Sequence, residues 1–287
     1  MRERVAKGWS AGLAALLAPV TLWLGLFFLV PLLFIVAYSF GTSGAYGGIT
    51  LGFNPGNYLL VFDPLYLEII VRSFGIAALT TLICFLLGYP LAYFIVFKGR
   101  RWRNALILLV MVPFWTSLLI RAYAWVVILG GNGIANKSLQ FLGITDEPVN
   151  LIFTPEAVLM GMTYSYLPFM VLPLYAALEK FDVSLKEAGK DLGASRWQTF
   201  LRVTFPLSLP GVIAGTILIF VPSIGSFMEP RILGGPAGIM LGTVIEDQFT
   251  VVFNWPLGAA LSFILLAIVL AILALAYPLL RRNLQVA

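Results

Sequence analysis

Charged residues are so widely spaced along this chain that the gaps between them define its elements. None occurs between Lys7 and Asp63, and residues 13–37 within that stretch are densely apolar. Further on, 25 uncharged residues separate Arg72 from Lys98, and 17 separate Arg103 from Arg121, with the apolar run continuing to Leu129. Another 22 lie between Glu156 and Glu179, 26 between Arg202 and Glu229, and 33 between Asp247 and Arg281. A helix crossing a bilayer needs about 20 mostly apolar residues. The pattern predicts six spanning helices, the last over 257–280. The first run is longer than the apolar core of a secretory leader and no clear cleavage site follows it, so it reads as a retained span.

Composition agrees. Hydrophobic residues make up 60% of the 287 and charged residues 11%, with a mean hydropathy of +0.97. Soluble domains carry about 25% charged residues, so these cannot cover a water-soluble surface. The expected fold is an all-α integral membrane protein, one transmembrane domain over 1–287, because helices satisfy their own backbone polar groups in lipid. Histidine is absent, which removes His-based triads, His proton shuttles and most zinc sites. The lone Cys84 excludes an intrachain disulfide and reads as a small buried hydrophobe.

The net charge of +5 matters less than where it falls. Fourteen of the 18 Lys and Arg lie before span 1, between spans 2 and 3, between spans 4 and 5, or after span 6. Lys and Arg mark cytoplasmic loops, so both termini and those two loops are expected to be cytoplasmic. The basic balance needs no nucleic acid. On the outer side, Gly130, Gly131, Asn132 and Gly133 suit a turn, and residues 239–245, too short to span, read as a partly buried helix. Pro31, Pro90, Pro113, Pro168, Pro173 and Pro222 fall inside spans, where each removes a backbone donor and can bend its helix.

The cytoplasmic connection 179–206 carries the most information. Ser184 stands three residues before Glu187, the spacing of a capping box. Leu185, Ala188 and Leu192 share one helical face, and Gly193 suits a helix stop. The run Glu187-Ala188-Gly189, three residues, Gly193, nine residues and Val203-Thr204-Phe205-Pro206 resembles the E-A-A-x3-G-x9-I-x-L-P motif of ABC importer permeases, with Gly189, Val203 and Phe205 as departures. Asp63-Pro64-Leu65-Tyr66, Leu87-Gly88-Tyr89-Pro90, Val112-Pro113-Phe114-Trp115-Thr116, Leu119-Ile120-Arg121, Leu167-Pro168-Phe169-Met170 and Leu172-Pro173-Leu174-Tyr175 are similar to the spermidine/putrescine branch of that family. The resemblance implies the type I importer transmembrane fold. It also implies a bacterial inner-membrane location, a second homologous permease, an ATPase subunit dimer and an extracytoplasmic substrate-binding protein. Leu185, Glu187, Ala188, Gly189, Leu192 and Gly193 would then form the contact with the ATPase.

No G-x-x-x-x-G-K-[ST] phosphate loop is present. The chain is therefore expected to bind no cofactor and not to be an enzyme, with ATP and Mg held by the partner ATPase. A polyamine path wants carboxylates and aromatic faces. Phe114, Trp115, Tyr164, Tyr166, Phe227 and Glu229 are the candidates, while Arg72 and Arg121 are expected to pair or snorkel. Related permeases carry other small solutes, such as an amino acid derivative, ferric iron or another organic cation, and these stay open. A lone ion channel would need charged rings within the spans, and a membrane enzyme a set of acids, bases or metal ligands at one depth. Neither pattern is visible.

Overall fold

The computed structural model describes residues 16–44, 48–99, 101–182 and 184–284, and the side chains of all of these except Lys190 and 276–284. Arg2, Arg4, Lys7 and Arg100, and the side chains of Lys190, Arg281 and Arg282, on which part of the assignment of sides rests, lie outside the described residues. The chain forms α1 (Leu16–Ser39), a hairpin of β1 (Thr42–Ser43) and β2 (Ile49–Thr50), and α2 (Gly56–Leu59). Next come α3 (Pro64–Phe97), α4 (Arg103–Trp115), α5 (Leu118–Leu129), α6 (Ile134–Phe141) and α7 (Pro155–Glu179). The short α8 (Ser184–Asp191) and α9 (Arg196–Thr199) lead into α10 (Phe205–Ile224), α11 (Leu241–Thr250) and α12 (Trp255–Leu284). Six stretches among the described residues are long and apolar enough to cross a membrane.

The third crossing differs from its expectation. One helix was expected to run from Arg103 to Leu129, but the chain breaks after Trp115: Thr116 is extended, at φ −101° and ψ 143°. Hydropathy then places the crossing on Leu118–Phe141, with α4 a shorter apolar helix beside it. The Thr116 hydroxyl donates to the Pro113 carbonyl at 3.1 Å, satisfying a group the ending helix leaves open. Between α5 and α6, Asn136 binds the Gly130 and Val149 carbonyls and the Val149 N–H, so the glycine turn is pinned.

The chain folds as two compact units, Met1–Phe62 with Asp247–Leu265, and Asp63–Glu246 with Leu266–Ala287. In the first, Asn57 donates to the Ser39 and Gly41 carbonyls and Tyr58 meets the Ser39 hydroxyl at 2.7 Å, which fastens the end of α1.

In the second, α3, α7 and α10 pack together. Two of these helices start alike. Asp63 accepts from the Leu65 N–H and Thr154 from the Ala157 N–H, each followed by proline at the first helical position. At 34 residues α3 is about 51 Å long, well beyond the roughly 30 Å of a hydrocarbon core, so one end projects from it. Close approach comes from small residues. A Cβ on Gly211 would sit 2.7 Å from the Pro173 carbonyl, and one on Gly215 would sit 2.7 Å from the Met170 sulfur. These two glycines, four apart on α10, let it lie directly on α7, the small-residue packing that membrane helices use where lipid supplies no hydrophobic drive. Cys84 is wholly buried in the same core, as expected for an inert hydrophobe. Short π-turns precede Pro31 and Pro206, where proline cannot donate the regular helical bond.

Candidate functional site

Helix α10 stops at Ile224, one residue before Gly225, and helical backbone resumes only at Met228. Helix α11, the outer helix expected over 239–245, crosses this break. A Cβ on Gly242 would stand 2.4 Å from the Gly225 carbonyl, so only glycine allows the crossing. Helical interruptions in a membrane protein are tolerated where the freed backbone is buried in protein or lines a cavity. Here Phe114 and Leu118, on either side of the second break at Thr116 and Ser117, and the middle of α7 border the same space. It is a cavity of about 370 Å³, within the range of small-molecule sites.

Four of the six expected path residues line it: Phe114, Tyr166, Phe227 and Glu229. Glu229 is 3% exposed and accepts a hydrogen bond from the Ser226 hydroxyl at 2.7 Å. Its stem lies near Gly161 of α7, where a Cβ would come 3.8 Å from the glutamate Cγ. Sequence position alone put Glu229 at the end of a span. The break turns it inward instead, so that it is buried against α7.

The other two expected path residues lie elsewhere. Tyr164 packs edge-on to Trp125 at 6.0 Å and borders a separate apolar hollow. Residues two apart on a helix point about 200° away from each other, so Tyr164 and Tyr166 could not share one wall. Trp115, last in α4, is 68% exposed and does not line the cavity. Phe169, one turn after Tyr166 and on its face, does line it and was legible from helical spacing.

Arg121 was expected to pair or snorkel. It lines the cavity instead, and its Nε is buried with no hydrogen-bond partner among the described residues. A charge inside an otherwise apolar span was the available signal. Arg72 does pair, with Glu68, and donates to the Ala237 carbonyl at 2.9 Å. Arg231 pairs with Glu246 and not with Glu229.

The coupling segment is built differently. Helix α8 covers 184–191 and ends as expected: Gly193 has φ +78°, and the Ala194 N–H reaches back to the Gly189 carbonyl at 3.0 Å. Its start differs. Asp182 caps it by accepting from the Ser184 N–H at 2.9 Å, and this bond, with one from the Ser184 side chain, holds the Asp182 carboxyl below the usual aspartate range. The complete capping box lies at Ser195 and Gln198, at the start of α9. Lys186 anchors α8 to α3, with its ammonium 3.0 Å from the Phe97 ring centroid and 3.3 Å from the Tyr93 hydroxyl. Leu185, Glu187, Ala188, Leu192 and Gly193 are exposed, while Gly189 is half-buried against Thr199.

The family model described as the binding-protein-dependent transport system inner membrane component matches residues 84–285. The chain belongs to that family. It is 43% identical over 255 residues to the spermidine/putrescine transport system permease protein PotB of Escherichia coli (strain K12), covering 89% of this chain and 92% of that protein. It is 41% identical to the protein of the same name in Haemophilus influenzae, covering 89% of each. A chain of the crystal structure of the bacterial alginate ABC transporter in complex with alginate pentasaccharide-bound periplasmic protein aligns with a TM-score of 0.77 at 21% identity, covering 98% of this chain and 97% of that one. This permease is thus a multi-pass inner-membrane protein with the six-helix fold of the ABC importer permeases.

Proposed function

We propose that this permease forms, with a second one, the path of a polyamine importer, and that the cavity at Glu229 lies on that path. The observation that carries the reading is a buried carboxylate among the aromatic faces of Phe114, Tyr166, Phe169 and Phe227. A flexible chain bearing ammonium groups finds there a charge-assisted acceptor and cation–π surfaces, and its methylenes find apolar walls. The similarity to permeases named for spermidine and putrescine supports the same solute class.

Energy comes from outside the chain. With no phosphate loop, the permease binds no cofactor, and ATP and Mg sit on an ATPase dimer. Helix α8 docks in a groove of that dimer by its exposed Leu185 and Leu192, with Glu187 as the polar contact and Gly193 letting the backbone turn. ATPase closure then moves the spans from inward-facing to outward-facing. An extracytoplasmic binding protein delivers the solute, a role supported by the periplasmic protein in the alginate transporter complex. Both termini and the loops at 98–103 and 179–206 face the cytoplasm, as their Lys and Arg content supports.

Arg121 on the same cavity favours a second reading, a solute carrying both charges, such as an amino acid derivative. Uptake of labelled spermidine by the reconstituted transporter, challenged with unlabelled putrescine and with a zwitterionic amino acid, separates the two. Polyamine import predicts competition by putrescine alone; competition by the zwitterion alone overturns it. The isolated permease should hydrolyse no ATP above background.

A further inference from the structure

Glu229 and Arg121 are the two charged side chains lining the cavity. Neither forms an ion pair among the described residues, where the salt bridges are Arg72–Glu68, Arg103–Glu179 and Arg231–Glu246. The Arg121 Nε is nonetheless buried and without a hydrogen-bond partner among the described residues. Tyr166 lines the same cavity as both. A guanidinium keeps its charge at any physiological pH. The cavity wall therefore carries one acidic and one basic side chain.

A cation path with an arginine in its wall looks self-defeating until release is considered. A solute must bind well enough to enter and loosely enough to leave. A buried carboxylate with no counter-charge attracts a polyamine strongly, because little water screens the pair. A tethered cation in the same wall that can compete for this carboxylate weakens the trap without closing the path. The arginine stem is long and flexible, so the guanidinium can yield to an incoming ammonium and return after it.

We propose that Arg121 is the cavity's resident counter-cation. It balances Glu229 when the cavity is empty and competes with a solute ammonium for that carboxylate, so that the polyamine passes without being held. This rests on the reading that the cavity lies on a polyamine path. Arg121 is thus a specificity and release residue that acts through Glu229.

The test uses the whole transporter, reconstituted with its second permease and ATPase. Retention of labelled spermidine is measured without nucleotide, and turnover with nucleotide and the binding protein. In R121Q, retention should rise about threefold or more while turnover falls. R121K, which keeps a cation on the tether, should stay near wild type. In the E229Q background, R121Q should change retention by less than about twofold, because the carboxylate it competes for is gone. R121M, which keeps an apolar stem, removes the charge by a second route, and co-purification of the subunits reports assembly. Retention in R121Q and R121M no higher than in wild type overturns the proposal, as does an equal rise in the E229Q background. Loss of retention and uptake together in R121Q also overturns it, because Arg121 would then be a direct solute contact. Unchanged spermidine uptake in E229Q alone sinks the path reading itself, a failure distinct from those of Arg121.

Discussion

At the cavity, charge is buried and aromatic rings surround it; at α8, the apolar side chains stand in the open and charged residues lie beside them. Glu229 is 3% exposed, whereas Leu185 is 44% and Leu192 88% exposed on a segment that lies in none of the six candidate spans. In lipid an exposed leucine is ordinary, but outside it a cluster of exposed apolar side chains marks a surface that another protein covers. A buried carboxylate in a span is costly unless it faces a polar partner or a watery cavity. Each region is thus marked by the residue type its surroundings disfavour. In the proposed function, one meets a protein partner and the other a cationic solute.

The largest effects should come from breaking the coupling surface. Gly193→Trp forces a bulky side chain to φ +78°, with strain of about 1–3 kcal/mol. Glu187→Lys reverses the exposed charge on α8. Both should insert normally, and both should lower uptake and binding protein-stimulated ATP hydrolysis together by about tenfold or more. Normal transport by both, measured in vesicles with matched permease content, would contradict the docking assignment.

Next comes the cavity. Glu229→Gln keeps shape and removes charge, and uptake should fall about threefold or more, since a desolvated charge-assisted contact is worth more than an exposed one. Its control is Glu246→Gln. That residue pairs with Arg231, the two side chains being 29% and 38% exposed, so the change should cost only about 0–1 kcal/mol of stability and leave uptake nearly unaltered. The same uptake assay checks both.

Smaller effects sharpen the picture of α8. Lys186→Met removes an ammonium held over Phe97 and should loosen α8 from α3 by about 0.5–2 kcal/mol, read as faster proteolysis of the 179–206 loop with the spans intact. Gly189→Ala restores the residue of the family motif. Its Cβ would meet Thr199 at 3.5 Å, an ordinary contact, so the helix should gain up to about 1 kcal/mol and uptake should be unchanged.

The two regions also differ in how far the chain's order reveals them. Helix α8 is local. Its spacing from Glu187 to Pro206 is contiguous, and its stop at Gly193 follows from one glycine able to adopt positive φ. The number of apolar crossings was legible for the same reason, as most are single long apolar runs; the third is displaced by the break at Thr116. The cavity is not local. It joins Phe114 and Arg121, across a helix break, to Tyr166 on α7 and to a second break at Gly225. In the apolar run from Arg103 to Leu129, Pro113 signals a bend but not a full break, because Thr116 and Ser117 are unremarkable in a span. Trp115 and Tyr164 were drawn in by type and not by angle. Arg121 was expected to pair or snorkel; its place on the cavity was not legible, because the cavity that it lines also draws on residues over a hundred positions later in the chain.

The most direct test of the account is the number of spermidine molecules imported per ATP hydrolysed by the reconstituted transporter, compared among wild type, E187K and E229Q. Separate roles for the two regions predict that E187K lowers both quantities and leaves their ratio near that of wild type. E229Q should lower import while much of the binding protein-stimulated hydrolysis persists, so that the ratio falls. Equal ratios in all three proteins, or a fall confined to E187K, would contradict it.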